Sequence, residues 1–400
     1  MFRRAMMRDL IPLLAGASSL LLAATAHASV SVDPGSARKV CQLTGEFDRE
    51  TGARTLNATE TRFGFWGTDL GTSFEHEGRL YFLFGDTHAK AGVTRAPDAD
   101  LIAVTDDRDP ERCLRLDMNR QADGAYAPLT VPGVSARAFE VPTGGVSANG
   151  RMYVFTSTDN SPTRAMGRSV LSASQDNGAS FQRLYDFSTT KFINVAAARA
   201  ASLPGLPVEG SAVLLWGSGE YRASSPHLAV VPEAGIEDAG ARRFFAGLVD
   251  GAPTWSAAEA DAVPLFDQPC LGEISVAWEP TLGKWLMLYN CAQPGGRSRI
   301  EMRTADAPWG PWAEARTLFD PAVDGDCRFI RAAQPGPGCP QAGDPHSTHA
   351  GDAYGAYLIP GFGRPDGQGG VQVYFTLSTW NPYNVVLMRA TLRPDAAAGM

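Results

Sequence analysis

The chain has 400 residues, a formal net charge of −8, 42 glycines and 28 prolines. An acidic chain with no basic stripe beyond its N-terminus excludes nucleic acid as a partner, because phosphate binding requires a concentrated positive field. Many short aromatic runs, frequent Gly and Pro and few long stretches of helical period exclude a helical bundle and favour an all-β fold.

The first residues read as a targeting segment. Arg3, Arg4 and Arg8 precede an apolar run from Leu10 to Ala24, followed by Ala26-His27-Ala28. A positive n-region, an h-region and an A-x-A site predict a signal peptide over residues 1–28, and hence export to the periplasm or the medium. The alternative, a membrane anchor, is disfavoured because the apolar run is short for a spanning helix. No later segment is apolar enough to span a membrane. Residues 29–60 form a polar entry segment, and residues 61–395 a single domain.

All six cysteines follow the signal, and export permits disulfides. Six cysteines allow 15 connectivities. Cys270 and Cys291 flank a predicted hairpin and face each other, Cys327 and Cys339 bracket a Pro/Gly loop, and Cys41 is left with Cys113. Zinc is disfavoured because no C-x-x-C pair exists.

From Phe63 onward a theme recurs: a strand, a turn containing Gly, then a strand rich in Tyr, Phe, Trp and Leu. Copies begin at Glu75, Ser147, Val208, Pro280 and Gly367. Their marker glycines, Gly78, Gly150, Gly210, Gly283 and Gly370, are 72, 60, 73 and 87 residues apart. Four strands fit each interval, so radial repetition in a five-bladed β-propeller is expected, with two stacked sandwich domains as the rival. Ser174-Gln175-Asp176-Asn177-Gly178-Ala179-Ser180-Phe181 looks like the Asp-box turn that joins outer strands in several propeller families. Arg303 to Trp312 looks like a loop-to-strand segment of propeller glycosidases. Long loops are expected over Ala89–Asp109, Ala223–Asp261 and Asp320–His349, the second holding a helix-like stretch from Gly235 to Leu248.

Phe63 to Thr87 organises the rest. Leu80, Phe82 and Phe84 alternate with Tyr81, Leu83 and Gly85, all apolar or small, so this strand is buried on both faces. Each half of the hairpin carries one aspartate beside glycine, Asp69 and Asp86. A carboxylate at the end of a buried strand is costly unless it is paired, hydrogen-bonded or used. Two on neighbouring strands suit glycoside hydrolysis, where burial and mutual repulsion would divide acid from base. The plainer reading is that each caps a turn.

Glu140 and Glu273 precede the second and fourth copies and are candidates for lining the same cleft. His346 and His349 precede the last blade strand. They suit a substrate cleft better than a metal, since no helix presents them together. His88 could orient Asp86. Trp66, Trp380, Asn381 and Tyr383 suit a carbohydrate site, with core packing the rival for the tryptophans. No cofactor is expected; an axial calcium ion is compatible with a propeller, but nothing indicates one. No serine-nucleophile elbow, H-E-x-x-H, P-loop or dinucleotide fingerprint is present.

Three stretches, FWGTDLGTSFEHEGRLYFLFGDT, CLGEISVAWEPTLGKWLMLYN and VYFTLSTWNPYNVVLMR, resemble the family first catalogued as domain-of-unknown-function family 4185. Some of its members are endo-D-arabinofuranosidases of glycoside hydrolase family 183. The resemblance implies a five-bladed propeller cutting α-linked D-arabinan of cell-envelope polysaccharides, with acidic residues on inner strands around the axis, where Asp69 and Asp86 fall. The expected protein is an exported monomer acting on a polysaccharide, with Asp69 and Asp86 catalytic. A non-catalytic glycan-binding propeller and a sialidase-like glycosidase are the alternatives.

Overall fold

The alternation along the aromatic strands dictates the architecture. In the computed structural model, which describes residues 29–90, 99–292, 296–334, 336–337, 339 and 348–395, Leu80, Phe82 and Phe84 pack into one core and Tyr81 and Leu83 into another. A sheet with two apolar faces must be covered on both, so neighbouring sheets stack around an axis. Five sheets do so, as the repeat predicts: a five-bladed β-propeller.

Each blade is an antiparallel meander. The inner strands are Gly67–His76, Pro142–Ala148, Asn194–Ala200, Leu271–Glu279 and Asp352–Leu358. The five aromatic repeat copies supply the second strands: Arg79–His88, Arg151–Thr158, Ala212–Ser218, Lys284–Ala292 and Val371–Trp380. Gly78 and Gly150 sit at φ 77° and 70° in the hairpin turns, with open space where a Cβ would lie, so backbone conformation and not crowding selects glycine there.

The cores lie between blades. Tyr153 and Phe155 of blade 2 meet Val213 and Leu215 of blade 3. Leu214 and Trp216 of blade 3 meet Met287 and Tyr289 of blade 4. Leu286 and Leu288 meet Val373 and Phe375 of blade 5. Inner strands are instead rich in Gly, Ala, Ser and Thr, because they converge. A Cβ on Gly144 would stand 2.2 Å from the carbonyl oxygen of Val195, and one on Gly145 2.4 Å from the Phe74 ring.

The ring closes with the two ends of the domain. Residues 29–60, expected to be a polar entry segment, supply strands Val30–Val32 and Arg38–Gln42, both paired with the final strand Asn384–Pro394. All three disulfides follow the expected pairing: Cys41–Cys113, Cys270–Cys291 and Cys327–Cys339. The Asp-box turn joins the two outer strands of blade 2, with Gly178 N–H donating to Ser174 Oγ at 2.9 Å and Ser180 N–H to Asp176 Oδ1 at 2.9 Å.

Three expectations fail. Ala223–Asp261 is no loop, and Gly235–Leu248 is no helix. The segment forms three outer strands of a five-stranded blade 3, with short 3-10 turns at Glu233–Gly235, Ala239–Ala241 and Glu259–Asp261. Phe244 and Phe245 are neighbours on strand Arg243–Val249 and face two different inter-blade cores, as strand alternation requires. Ala89–Asp109 likewise contains a strand, Ala99–Thr105. The predicted signal over residues 1–28 and His346 lie outside the described residues. Among the described residues no helix is long and apolar enough to cross a membrane.

Candidate active site

The inner strands run in one direction, so their N-terminal ends and the loops after the second strands share one mouth of the axis. Asp69 stands there on blade 1, 6% exposed. Its strand carries register shifts on both sides, between Gly67 and Asp69 and between Leu70 and Thr72, and Leu70 takes φ 64°. Such bulges re-aim a side chain out of the pleat.

Asp69 Oδ2 accepts a 2.9 Å hydrogen bond from the Tyr354 hydroxyl, while Oδ1 is buried with no hydrogen-bond partner among the described residues. Burial pushes the carboxyl up to about 7. Glu273 adds to the rise, while phenols of Tyr354 and Tyr383 and the Arg222 charge oppose it. The Tyr383 hydroxyl also donates to the main-chain carbonyl of Asp86 at 2.9 Å, so its single proton serves one acceptor at a time.

Glu273, 3% exposed on blade 4, is the second buried acid. Its Oε1 accepts from the Tyr221 hydroxyl at 3.0 Å and meets the Arg222 guanidinium at 3.6 Å; Oε2 is buried with no partner among the described residues. Arg222 lies over the rings of Tyr221 and Tyr354, 4.8 and 5.7 Å from their centroids. The arginine thus links blade 3, which carries it, to blades 4 and 5.

Asp86 follows Gly85, the cross-strand partner of Asp69. Its φ of 40° is one that L-residues rarely adopt, and both carboxylate oxygens take the main-chain N–H of Phe139, at 3.1 and 3.2 Å. Backbone strain of this kind persists where surrounding contacts enforce it and concentrates at functional sites. Unlike Asp69 and Glu273, Asp86 is only partly buried. The mouth therefore holds one carboxyl that keeps its proton near neutrality beside a more open carboxylate fixed by an amide.

Aromatic rings form the rim. Trp66 stacks on Tyr383 at 6.4 Å, His88 meets the same ring edge-on at 5.1 Å, and His349 lies 6.2 Å from Trp380, which is 44% exposed. Asn381 is buried, and its side-chain amide donates to the His349 carbonyl, so it holds the rim together. Glu140 is different. Fully buried, it accepts from the main-chain N–H of Arg137 and of Asn160, each at 2.9 Å, and so ties its own loop and does not open to the cleft. Among the described residues no group of three or more His, Cys, Asp and Glu side chains could hold a metal ion.

Sequence reasoning missed Tyr221, Arg222 and Tyr354. The repeat carried a signal for two of them: Tyr221 and Arg222 follow the third aromatic strand, as Asp86 and His88 end the first. Tyr354 lies on the inner strand of blade 5, downstream of the long connection between Phe319 and Asp352 that stretched the last interval to 87 residues and hid that strand from the repeat.

Fold and mouth together define a five-bladed propeller with an acidic, aromatic-rimmed axial site. The chain belongs to the family described as "Domain of unknown function (DUF4185)", whose model matches residues 54–389. A Bacteroides ovatus protein provisionally named a hydrolase shares the fold, with a TM-score of 0.53 at 12% identity over 83% of this chain and 87% of its own. Two glycoside hydrolases also align. The α-L-arabinofuranosidase from Podospora anserina, solved with cellotriose, has a TM-score of 0.42 at 12% identity over 89% and 98% of the two chains. The exo-β-1,3-galactanase from Phanerochaete chrysosporium has 0.47 at 9% over 88% and 64%. No curated protein matches the chain.

Proposed function

We propose that this protein is an exported glycoside hydrolase that cleaves α-D-arabinofuranosidic linkages in D-arabinan-type cell-envelope glycans. One observation carries the hydrolase reading: Asp69 is a buried carboxyl with one oxygen lacking a partner among the described residues and with its affinity for a proton raised to about 7, and the less buried Asp86 directly follows its cross-strand partner Gly85. A carboxyl that holds its proton near neutrality, with a second carboxyl nearby, is what glycosidic cleavage uses.

In this reading Asp69 donates its proton to the departing glycosidic oxygen. Asp86, fixed by the Phe139 amide at the open side of the mouth, takes a proton from the water that attacks the anomeric carbon, with inversion. Glu273 does not touch the sugar; its charge, kept in place by Tyr221 and Arg222, helps Asp69 stay protonated. Trp66, His88 and Trp380 pack on sugar rings, and His349 and Asn381 shape the wall beside Trp380. His346 and Glu140 have no assigned part. The substrate class is supported by the three family-like stretches of sequence, and export by the three disulfides, which suit an oxidising compartment. We take the protein to act as a monomer without a cofactor.

A sialidase-like reading finds a Tyr–Glu pair in Tyr221 and Glu273, but Arg222 is the arginine that meets it, not a cluster. Burial and the Glu273 charge also push the Tyr221 phenol upward, the wrong direction for a nucleophile.

The test is oligosaccharide release from mycobacterial-type arabinogalactan by wild type, Asp69→Asn and Asp86→Asn. Release by wild type alone, with both variants folded, supports the reading. No release by any of them, with glycan binding retained, replaces it with a non-catalytic glycan-binding propeller.

A further inference from the structure

The axis has a second mouth. Leu70, Val141, Ile193 and Tyr357, from four blades, pack into one buried apolar cluster near the Asp69 end of the axis. Beyond them the C-terminal ends of the inner strands enclose a cavity of about 430 Å³. That lies in the range of small-molecule sites, about 300–1,000 Å³. Glu273 and Trp278 share one strand, and five residues of strand separate the two mouths by about 17 Å.

The lining is that of a neutral, hydroxyl-rich ligand. Trp278, 44% exposed, is the large apolar side chain that an inner strand leaves open to solvent at this mouth. Its ring is held edge-to-face by buried Trp285 at 5.6 Å, and Trp285 in turn meets Trp216 at 5.2 Å. A flat face is therefore fixed before any ligand arrives. Small hydroxyl side chains share the cavity. Ser73 Oγ is buried with no hydrogen-bond partner among the described residues, and Ser275 Oγ accepts from Leu358 N–H at 2.9 Å, leaving its own proton to donate. Of the three charged side chains in the lining, Arg199 pairs with Glu233 at 2.8 Å and Glu75 with Arg108 at 2.7 Å, while Glu77 stands exposed in the hairpin turn at the rim. An indole face beside serine hydroxyls, with little free charge, matches the apolar C–H face and hydroxyl edge of a sugar ring.

We propose that this second mouth is a non-catalytic saccharide-binding site that holds a remote segment of the polysaccharide, Trp278 stacking on a sugar ring and Ser73 and Ser275 meeting its hydroxyls. That the saccharide belongs to the same polymer rests on the function proposed above; that the site takes a neutral sugar does not. Because five residues of strand, about 17 Å, separate the mouths, the two sites engage different stretches of glycan, and the second raises retention on polymer without altering cleavage of a short oligosaccharide.

The experiment uses the full chain in native gels containing soluble arabinogalactan, comparing Asp69→Asn, Asp69→Asn/Trp278→Ala and Asp69→Asn/Trp278→Phe, with thermal melting to verify folding. Cleavage of arabinogalactan and of a short arabinan oligosaccharide is measured with Trp278→Ala alone. Loss of one stacking aromatic should weaken retention several-fold, up to about tenfold, and Phe should restore part of it. Trp278→Ala should raise KM on polymer and leave the short substrate unchanged. Retention that depends on Trp278 with no cleavage by any protein would support this site while removing the hydrolase reading. Cleavage with retention indifferent to Trp278, or no retention at all, would overturn the site.

Discussion

The Tyr354 hydroxyl gives its proton to Oδ2 of Asp69 at 2.9 Å and leaves Oδ1 of the same carboxyl without a partner among the described residues. A hydrogen bond to the charged form favours ionisation, while the neighbouring Glu273 charge opposes it. The two neighbours therefore pull Asp69 in opposite directions. If Asp69 is the proton donor, kcat/KM falls on the alkaline side above about pH 7, where the carboxyl loses its proton. Tyr354→Phe should move that limb to higher pH and Glu273→Gln to lower pH. A pH profile of the two variants on one soluble substrate checks this. Limbs that move together, or not at all, would remove Asp69 from the donor role.

The same shift predicts a stability cost. Asp69 binds its proton more tightly folded than unfolded, so between about pH 4 and pH 7 the native state holds more protons and stability falls as pH rises. Above about 7 the loss is complete. Asp69→Asn removes a buried charge while keeping an acceptor for Tyr354. It should therefore melt above wild type at pH 8, by an amount on the order of a few kcal/mol, and the gap should close toward pH 4. Thermal melts at the two pH values decide it; an Asn variant less stable at pH 8 would mean that the carboxylate is satisfied in the native state.

Much of this was legible in the sequence because blades repeat and strands alternate. Leu80, Phe82 and Phe84 against Tyr81 and Leu83 reveal a strand covered on both faces, and in a chain with few helical stretches other sheets must supply the cover. The marker glycines count the blades because each hairpin turn takes a positive φ, at Gly78, Gly150, Gly210 and Gly283 themselves and at Gly367 and Gly369 just before Gly370. Asp69 and Glu273 were legible as acids heading apolar strands. Their partners were not. Tyr354, Tyr221 and Arg222 come from blades 5 and 3 and reach the acids only when the ring closes, a long-range consequence that no local pattern records. The strands of residues 30–42 were hidden likewise, because their partner lies at the far end of the chain.

Asp86 combines a functional candidate with a backbone conformation at φ 40°. Asn tolerates the left-handed region better than Ala does. Asp86→Asn should then fold like wild type yet lose about 10²–10⁴-fold in kcat, the range for a missing general base. Asp86→Ala should lose similar activity and also about 1 kcal/mol or more of stability, through strain and the unpaired Phe139 amide. Parallel kinetics and denaturant titrations separate the two effects. An Asn variant with near-normal turnover would leave Asp86 as a clamp for the Phe139 loop.

The Cys41–Cys113 disulfide staples the ring at its seam. Cys41 lies on the N-terminal strand that pairs with the final strand of blade 5, and Cys113 follows the third strand of blade 1, both against the core between those blades. The bond spans 72 residues, against 12 for Cys327–Cys339. In the chain-entropy account the longer loop is worth about 4 kcal/mol and the shorter about 3 kcal/mol. The seam adds a second consequence: without the staple, strand Arg38–Gln42 loses its covalent tie to blade 1 and keeps its pairing with the last strand, the Lys39 and Gln42 side-chain contacts and the packing beneath it. Cys41→Ser/Cys113→Ser should lower Tm more than Cys327→Ser/Cys339→Ser. It should also raise amide exchange selectively in residues 38–42 and their partners 386–389. Equal losses in Tm with uniform exchange would mean that the seam opens no more readily than the rest of the ring.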